Sequence, residues 1–285
     1  MTGRPAIPEA IKRAVRKRCH FGCVFCGCPV YHYDHIIEYS VVKKHEEHNI
    51  TLLCPTHHQH KTSGRLSTAR VQAQSLSPHN SGRQMTGQTS NYYDLSHLSV
   101  GFSTVRIVSD LIKDPARKRV DAINVDGGTV FGVRKDATGH LGLMVRLCTR
   151  DNLPFLLIRN GEMRISTGVW DASMSGSRLI LRNSGQRVLV EMKLDPTDIE
   201  LVRGDFWANG YHFTVTNQQG LKNENDDFFV SGVSLEGAGC AFFAGERIFV
   251  PSPVFMFGSH NNRFGLSRDD PGLQAFAKIR AMGLG

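Results

Sequence analysis

Between positions 23 and 58 two interleaved sets of residues, eight in all, are spaced so that their side chains could hold metal ions and support proton transfer. Cys23-Val24-Phe25-Cys26 is followed, after a gap of 27 residues, by Cys54-Pro55-Thr56-His57. Each pair spaces two ligands across a tight turn, so two can converge from each side on one tetrahedral ion. Three thiolates and one imidazole favour Zn2+. So short a segment buries little surface of its own, and a metal clip would hold it together. Cys19, Cys28, His20 and His60 lie close enough in the chain to stand in at one of the four positions.

A second set is interleaved with the first. Asp34-His35 falls inside the gap, Asn49 comes just before Ile50–Leu53, and His58 directly follows His57. Together with the cysteine frame, this stretch from Cys23 to Lys61 resembles the HNH, or ββα-metal, nuclease family. The resemblance implies that His35 is a general base. It would take a proton from water for an in-line attack on phosphorus, and an unperturbed imidazole pKa of ~6.5 suits that task. It also implies that Asp34 and His58 hold one Mg2+ or Mn2+ ion against the scissile phosphate. Asn49 would orient the loop and His35 or lean toward the metal, and Lys61, one helical turn beyond His58, would reach a phosphate. Many members place four cysteines at the structural zinc; here His57 takes the fourth position.

These residues need a scaffold of two short strands and a helix. Residues 30–37, rich in Tyr, Val and Ile, read as the first strand. Residues 38–48 read as a polar loop, Ile50–Leu53 as the second strand, and 55–63 as the start of a helix. On a regular strand Asp34 and His35 would point to opposite faces, so a twist or bulge is expected to bring both to one phosphate. On the helix, His57 and His58 diverge by about 100°, so one can face the zinc and the other the groove. His32, His45, His48 and His60 read as surface histidines. Upstream, residues 8–18 read as a helix, with Pro8 at its first position and Glu9 in the first turn. Its Lys12, Arg13, Arg16 and Lys17 are candidate phosphate contacts, alongside Lys61.

The charge distribution agrees with a nucleic-acid partner, DNA by resemblance. The net charge is +8; residues 1–70 hold 11 Lys+Arg against 5 Asp+Glu, and the other 215 residues hold 23 against 21. A clustered basic excess is what a phosphate backbone attracts. No apolar run approaches the ~20 residues of a membrane helix, and residues 1–13 lack the apolar core of a signal peptide. A cytoplasmic location is the expectation. The seven cysteines then read as thiols or ligands rather than disulfides, with Cys148 and Cys240 as buried thiols.

Beyond the motif, residues 64–97 turn Ser-, Gln-, Asn- and Gly-rich. Residues 67–76 could continue as a helix, and 78–90 read as a linker. Residues 98–257 are β-rich. Leu141, Leu143, Val145 and Leu147 alternate; Asn160-Gly161, Asn183-Ser184-Gly185 and Asn209-Gly210 sit between apolar runs as hairpin turns. Residues 271–282 read as a C-terminal helix between Asp270 and Gly283. The expected class is therefore α+β: a zinc-stabilised ββα-metal HNH domain over 1–80, a linker over 81–97, and a β-rich domain over 98–285. The pattern leaves a sandwich, a barrel and a solenoid open. No nucleophile elbow, P-loop or dinucleotide fingerprint appears after residue 98. The β-rich domain is expected to recognise a target, to sense a regulatory protein or ligand that gates the nuclease, or to pair two copies of the chain. A restriction or anti-phage defence effector fits that layout. The rival reading is a non-catalytic zinc-finger adaptor that docks nucleic acid and binds a protein through its β-rich domain.

Overall fold

A computed structural model of the chain describes residues 5–87, 89–90, 99–102, 105–108, 118–137, 140–159, 161–195, 198–216, 220–223, 228–232, 234–236, 240–245 and 253–257. The expected C-terminal helix at 271–282 lies outside these residues. The described chain is mixed α and β, with many strands and few helices. Among the described residues no helix is long and apolar enough to cross a membrane. Two units form: Met1–Thr89 with Arg164–Met174, and Ser90–Met163 with Ser175–Gly285.

In the first unit, helix α1 is Glu9–Arg18, with Pro8 at its N-cap, Glu9 in the first turn and Arg16, Lys17 and Arg18 in the last. Those charges complement the helix dipole at each end. Strands β1 (His32–His35) and β2 (Ile50–Leu53) pair antiparallel, with His32 opposite Leu53 and His35 opposite Ile50. Between them lie a one-turn helix, α2 (Tyr39–Val42), and a 3-10 turn, Glu47–Asn49. Helix α3 (Pro55–Thr62) starts at once after β2, with Pro55 at its first turn and Cys54 as N-cap. Helix α4 (Thr68–Leu76) is capped by Ser67, which accepts from Arg70 N. Val15, Cys19, Cys23, Val24, Ile50, Leu52, Leu53 and Cys54 form the core of this unit. It is small, so the metal frame and polar stitching carry much of the order.

That stitching includes residues read from sequence as linker. His79 N donates to Val24 O at 2.8 Å. The buried Asn80 donates to Gly27 O and His20 O and accepts from Gly87 N at 3.0 Å. Gly27 has φ of 73°, and a Cβ there would meet Asn80 Oδ1 at 2.0 Å. Only glycine fits, because the backbone is left-handed and the asparagine is pressed against it. Thr86 then exchanges hydrogen bonds with Ile165 on the returning segment.

The second unit is built from antiparallel meanders joined by parallel pairings. Arg119–Val125, Gly128–Lys135, Leu141–Cys148 and Pro154–Arg159 pair in sequence order. So do Arg178–Arg182, Val188–Leu194, Asp198–Ala208, Tyr211–Thr216 and Gly220–Asn223. Ser99–Phe102 pairs parallel with Asp198–Ala208, and Cys240–Ala244 pairs parallel with Arg119–Val125. Inward Phe131, Phe206, Phe213, Phe242 and Tyr211 are fully buried. Asn209 and Gly210 both take positive φ, 50° and 87°, which is the turn that matches strand twist in a two-residue hairpin. Asp126-Gly127, with φ of 51° and 83°, makes a second turn of the same kind.

Candidate metal centre and adjoining groove

Cys23, Cys26, Cys54 and His57 present their ligand atoms within 4.8 Å of one another. Cys26 Sγ and Cys54 Sγ are 3.8 Å apart, Cys23 Sγ and His57 Nδ1 3.5 Å, and Cys54 Sγ and His57 Nδ1 3.1 Å. A tetrahedron with Zn–S of ~2.3 Å and Zn–N of ~2.0–2.1 Å has S–S edges of about 3.8 Å and S–N edges of about 3.6 Å. The cluster is the size of that tetrahedron, and the donor set is one zinc prefers. Phe25 stacks on His57 with ring centroids 5.0 Å apart and fixes its plane. Hydrogen bonds from Cys23 and then Cys26 hold the Cys54 thiol well below its ordinary range. Contact with Cys23 and then Cys54 pushes Cys26 up. The four sequence substitutes stay outside: Cys19 Sγ lies 3.9 Å from Thr51 Oγ1, Cys28 Sγ lies 3.4 Å from Val30 O, and neither His20 nor His60 joins the cluster.

One residue on, His58 turns to the other side of α3. Its Nε2 lies 3.4 Å from Asp34 Oδ1 on β1. His32, two residues before Asp34, brings its ring within 5.3 Å of the His58 ring. Lys61 Nζ pairs with Asp34 Oδ2 at 2.8 Å and donates to His35 O at 2.6 Å, with Glu38 Oε1 at 3.4 Å. The Lys61 side chain is only 7% exposed. It neutralises Asp34 and ties α3 to β1 rather than reaching outward to a phosphate.

β1 and β2 pair without a register shift through Asp34 and His35. No bulge interrupts the strand there, and on regular strand geometry the two side chains leave opposite faces. His35 is buried, and its Nε2 lies 3.2 Å from His45 Nδ1. Asn49 is buried too and clamps the chain beyond β1: Oδ1 accepts from Ile37 N at 2.8 Å, and Nδ2 donates to Ile37 O at 2.9 Å. Its observed role is to fix the turn that follows His35.

The cations of α1 divide. Arg16 is buried, and its guanidinium grips both carboxylate oxygens of Asp171 at 2.8 Å while donating to Tyr33 Oη at 2.6 Å. Burial alone would lower its pKa, but Asp171 and Tyr33 together more than reverse that. Arg13 stacks over Trp170, with Cζ 3.4 Å from the ring centroid. Both were expected at phosphates; instead they fasten the segment Arg164–Met174 onto α1. Lys12 pairs with Glu9 at 2.8 Å, and Lys17 is exposed. Elsewhere in the unit, Arg83 and Arg164 line an open cleft of about 550 Å³ with Cys26, His79 and Met85. Neither arginine falls in a sequence pattern that marks it. His45, taken as a surface histidine, was missed for the same reason: it sits in an irregular loop with no periodicity.

Searches of known protein families, curated proteins and solved structures yield no match to this chain.

Proposed function

We propose that the first unit is an HNH-type endonuclease domain that hydrolyses phosphodiester bonds in DNA with a divalent ion, around a structural zinc. The observation that carries this reading is Asp34 facing His58 at 3.4 Å, one residue away from the Cys3His cluster. Oxygen and nitrogen ligands at ~2.1 Å around an octahedral ion sit about 3 Å apart, so a small closure would let the pair hold Mg2+ or Mn2+. That ion would supply charge stabilisation to the phosphate and the departing oxygen. Lys61 would then release Asp34 and serve as a local cation. His35 stands at the last paired position of β1, where a phosphate lying across the strand end is reachable from both faces. There it would accept the proton of the attacking water, with Asn49 holding the turn behind it. Arg83 and Arg164 in the cleft, and Lys17 on α1, supply positive charge for the flanking backbone.

Plasmid cleavage by full-length protein tests the proposal. Metal-dependent nicking or cutting is expected, blocked by EDTA and lost in His58→Ala and His35→Ala. No cleavage with Mg2+, Mn2+, Co2+ or Ni2+, together with retained DNA binding, would replace it with the adaptor reading. One observation favours that rival: Asp34 is already neutralised by Lys61, and His35 leaves from the opposite face of β1. The β-rich unit is assigned the gating or partner-binding role in either reading.

A further inference from the structure

We infer that His45 is a positioning residue for His35, setting which ring nitrogen of the proposed general base carries its proton. The inference rests on the nuclease reading for its catalytic consequence, but the tautomer itself does not. His45 Nε2 lies 2.9 Å from Pro5 O. A carbonyl oxygen only accepts, so His45 carries its proton on Nε2. A neutral His45 therefore offers a lone pair at Nδ1. His35 Nε2, 3.2 Å away, must be the donor. A neutral imidazole has one N–H, so the basic nitrogen of His35 is Nδ1.

The loop after β1 is shaped to deliver this contact. Lys43 takes a left-handed conformation, φ 56°, and its N–H closes on Tyr39 O, which turns the chain back toward β1. Tyr39 stacks on His45 with centroids 4.8 Å apart and meets His35 edge-on at 5.5 Å. One tyrosine thus braces both imidazoles. Pro5, ahead of α1, closes the relay at its outer end, so the N-terminal segment contributes a carbonyl to the orientation of a buried histidine. For metal-bound histidines, removing the partner that fixes the tautomer through the other nitrogen typically costs about 10–100-fold, and that scale is carried over to His35.

Two measurements on the full-length chain separate the relay from the nuclease reading. Long-range 1H–15N correlation at about pH 8, where unperturbed imidazoles are neutral, should show His35 protonated at Nε2 and unprotonated at Nδ1. A wild-type His35 protonated at Nδ1 overturns the inference whether or not the protein cuts DNA. His45→Leu should scramble that tautomer and lower kcat about 10–100-fold with KM little changed. His45→Asn, whose Oδ1 can accept in place of Nδ1, should restore both the tautomer and most of the rate. A His45→Leu protein that keeps the tautomer and the wild-type kcat also overturns it. Should the leucine variant fail to fold, the wild-type spectrum decides alone. A correct tautomer in a protein that never cleaves DNA sinks the nuclease reading and leaves the relay standing.

Discussion

His57 and His58 are neighbours in the chain but serve two unlike places. The Cys3His cluster is closed: four ligand atoms lie within 4.8 Å, two of the cysteines are buried, and an aromatic ring braces the imidazole. The Asp34–His58 pair is open: two side chains proposed as ligands, a His58 side chain 40% exposed, and a lysine already satisfying the carboxylate. Closed four-ligand sites hold structure, and sites with few protein ligands and open positions do chemistry. On the proposed reading one turn of helix serves both, because consecutive side chains on α3 point about 100° apart. If that division is right, the two sites should respond to damage in opposite ways.

The largest expected effect is on the closed site. Stripping metal with a strong chelator, or Cys54→Ser, should remove the cooperative unfolding of the first unit, since structural zinc in small domains contributes on the order of 10 kcal/mol or more. Far-UV circular dichroism and bound-zinc analysis would show it. A first unit that melts unchanged without metal would erase the contrast between the two sites. His58→Ala should do the reverse. On the proposed nuclease reading, cleavage should be lost, because Asp34 alone would be left to hold the ion, while stability moves by less than about 0.5 kcal/mol, as for an exposed surface substitution. Loss of zinc from that variant would mean that the two sites are not separable.

A third perturbation asks whether the cluster holds its unit together alone. Arg16 and Asp171 form a buried, bidentate pair between α1 and Arg164–Met174. Removing one partner strands a buried charge, so Asp171→Ala should cost about 3–5 kcal/mol with zinc still bound. Replacing both residues with apolar side chains of like volume should recover most of that. The same pair warns against testing gating with a fragment that stops at residue 89, because such a fragment loses Asp171 and Trp170. Equal loss in the single and double variants, measured by urea unfolding, would show that the pair contributes nothing beyond packing.

What the chain revealed before folding, and what it hid, follows from the range of the interactions. The zinc frame was readable because its ligands are paired at i, i+3 on local turns, and the helix start at Pro55 because capping is local. The Asn209-Gly210 hairpin was readable because positive φ selects those residue types. Arg16 was misread because its partner lies 155 residues away, and a cation on a helix face looks the same in sequence whether it meets a carboxylate or a phosphate. Residues 79–87 look like linker by composition, yet Asn80 turns polar, small-residue chain into an ordered knuckle through three backbone hydrogen bonds. His45 was invisible because its role depends on a loop closing back on β1. The residues placed by local rules could be found from sequence; those placed by contacts distant in the chain could not.

The smallest effect separates cysteines that serve the closed site from one that only packs. Cys54 is held well below the usual thiol range by Cys23 and Cys26, while burial among apolar side chains in the second unit pushes Cys148 from 9.0 up to about 11. Because the folded Cys148 keeps its proton longer than the unfolded chain does, its contribution is intact below pH 9.0 and is lost as pH rises toward about 11. A two-unit shift corresponds to at most about 2–3 kcal/mol. The wild type should therefore lose more stability across that interval than Cys148→Ala, whose alkaline limb should be flatter by about that amount despite a lower plateau from the vacated volume. Urea unfolding followed by tryptophan fluorescence at a series of pH values would measure the difference, and the subtraction cancels the lysines and tyrosines that titrate in both proteins. Parallel limbs would place Cys148 in contact with solvent and remove it as the counterexample to Cys54. Alkylation gives the matching kinetic reading: after chelation the thiols of the opened cluster should be modified ahead of Cys148, which stays slow until the second unit unfolds.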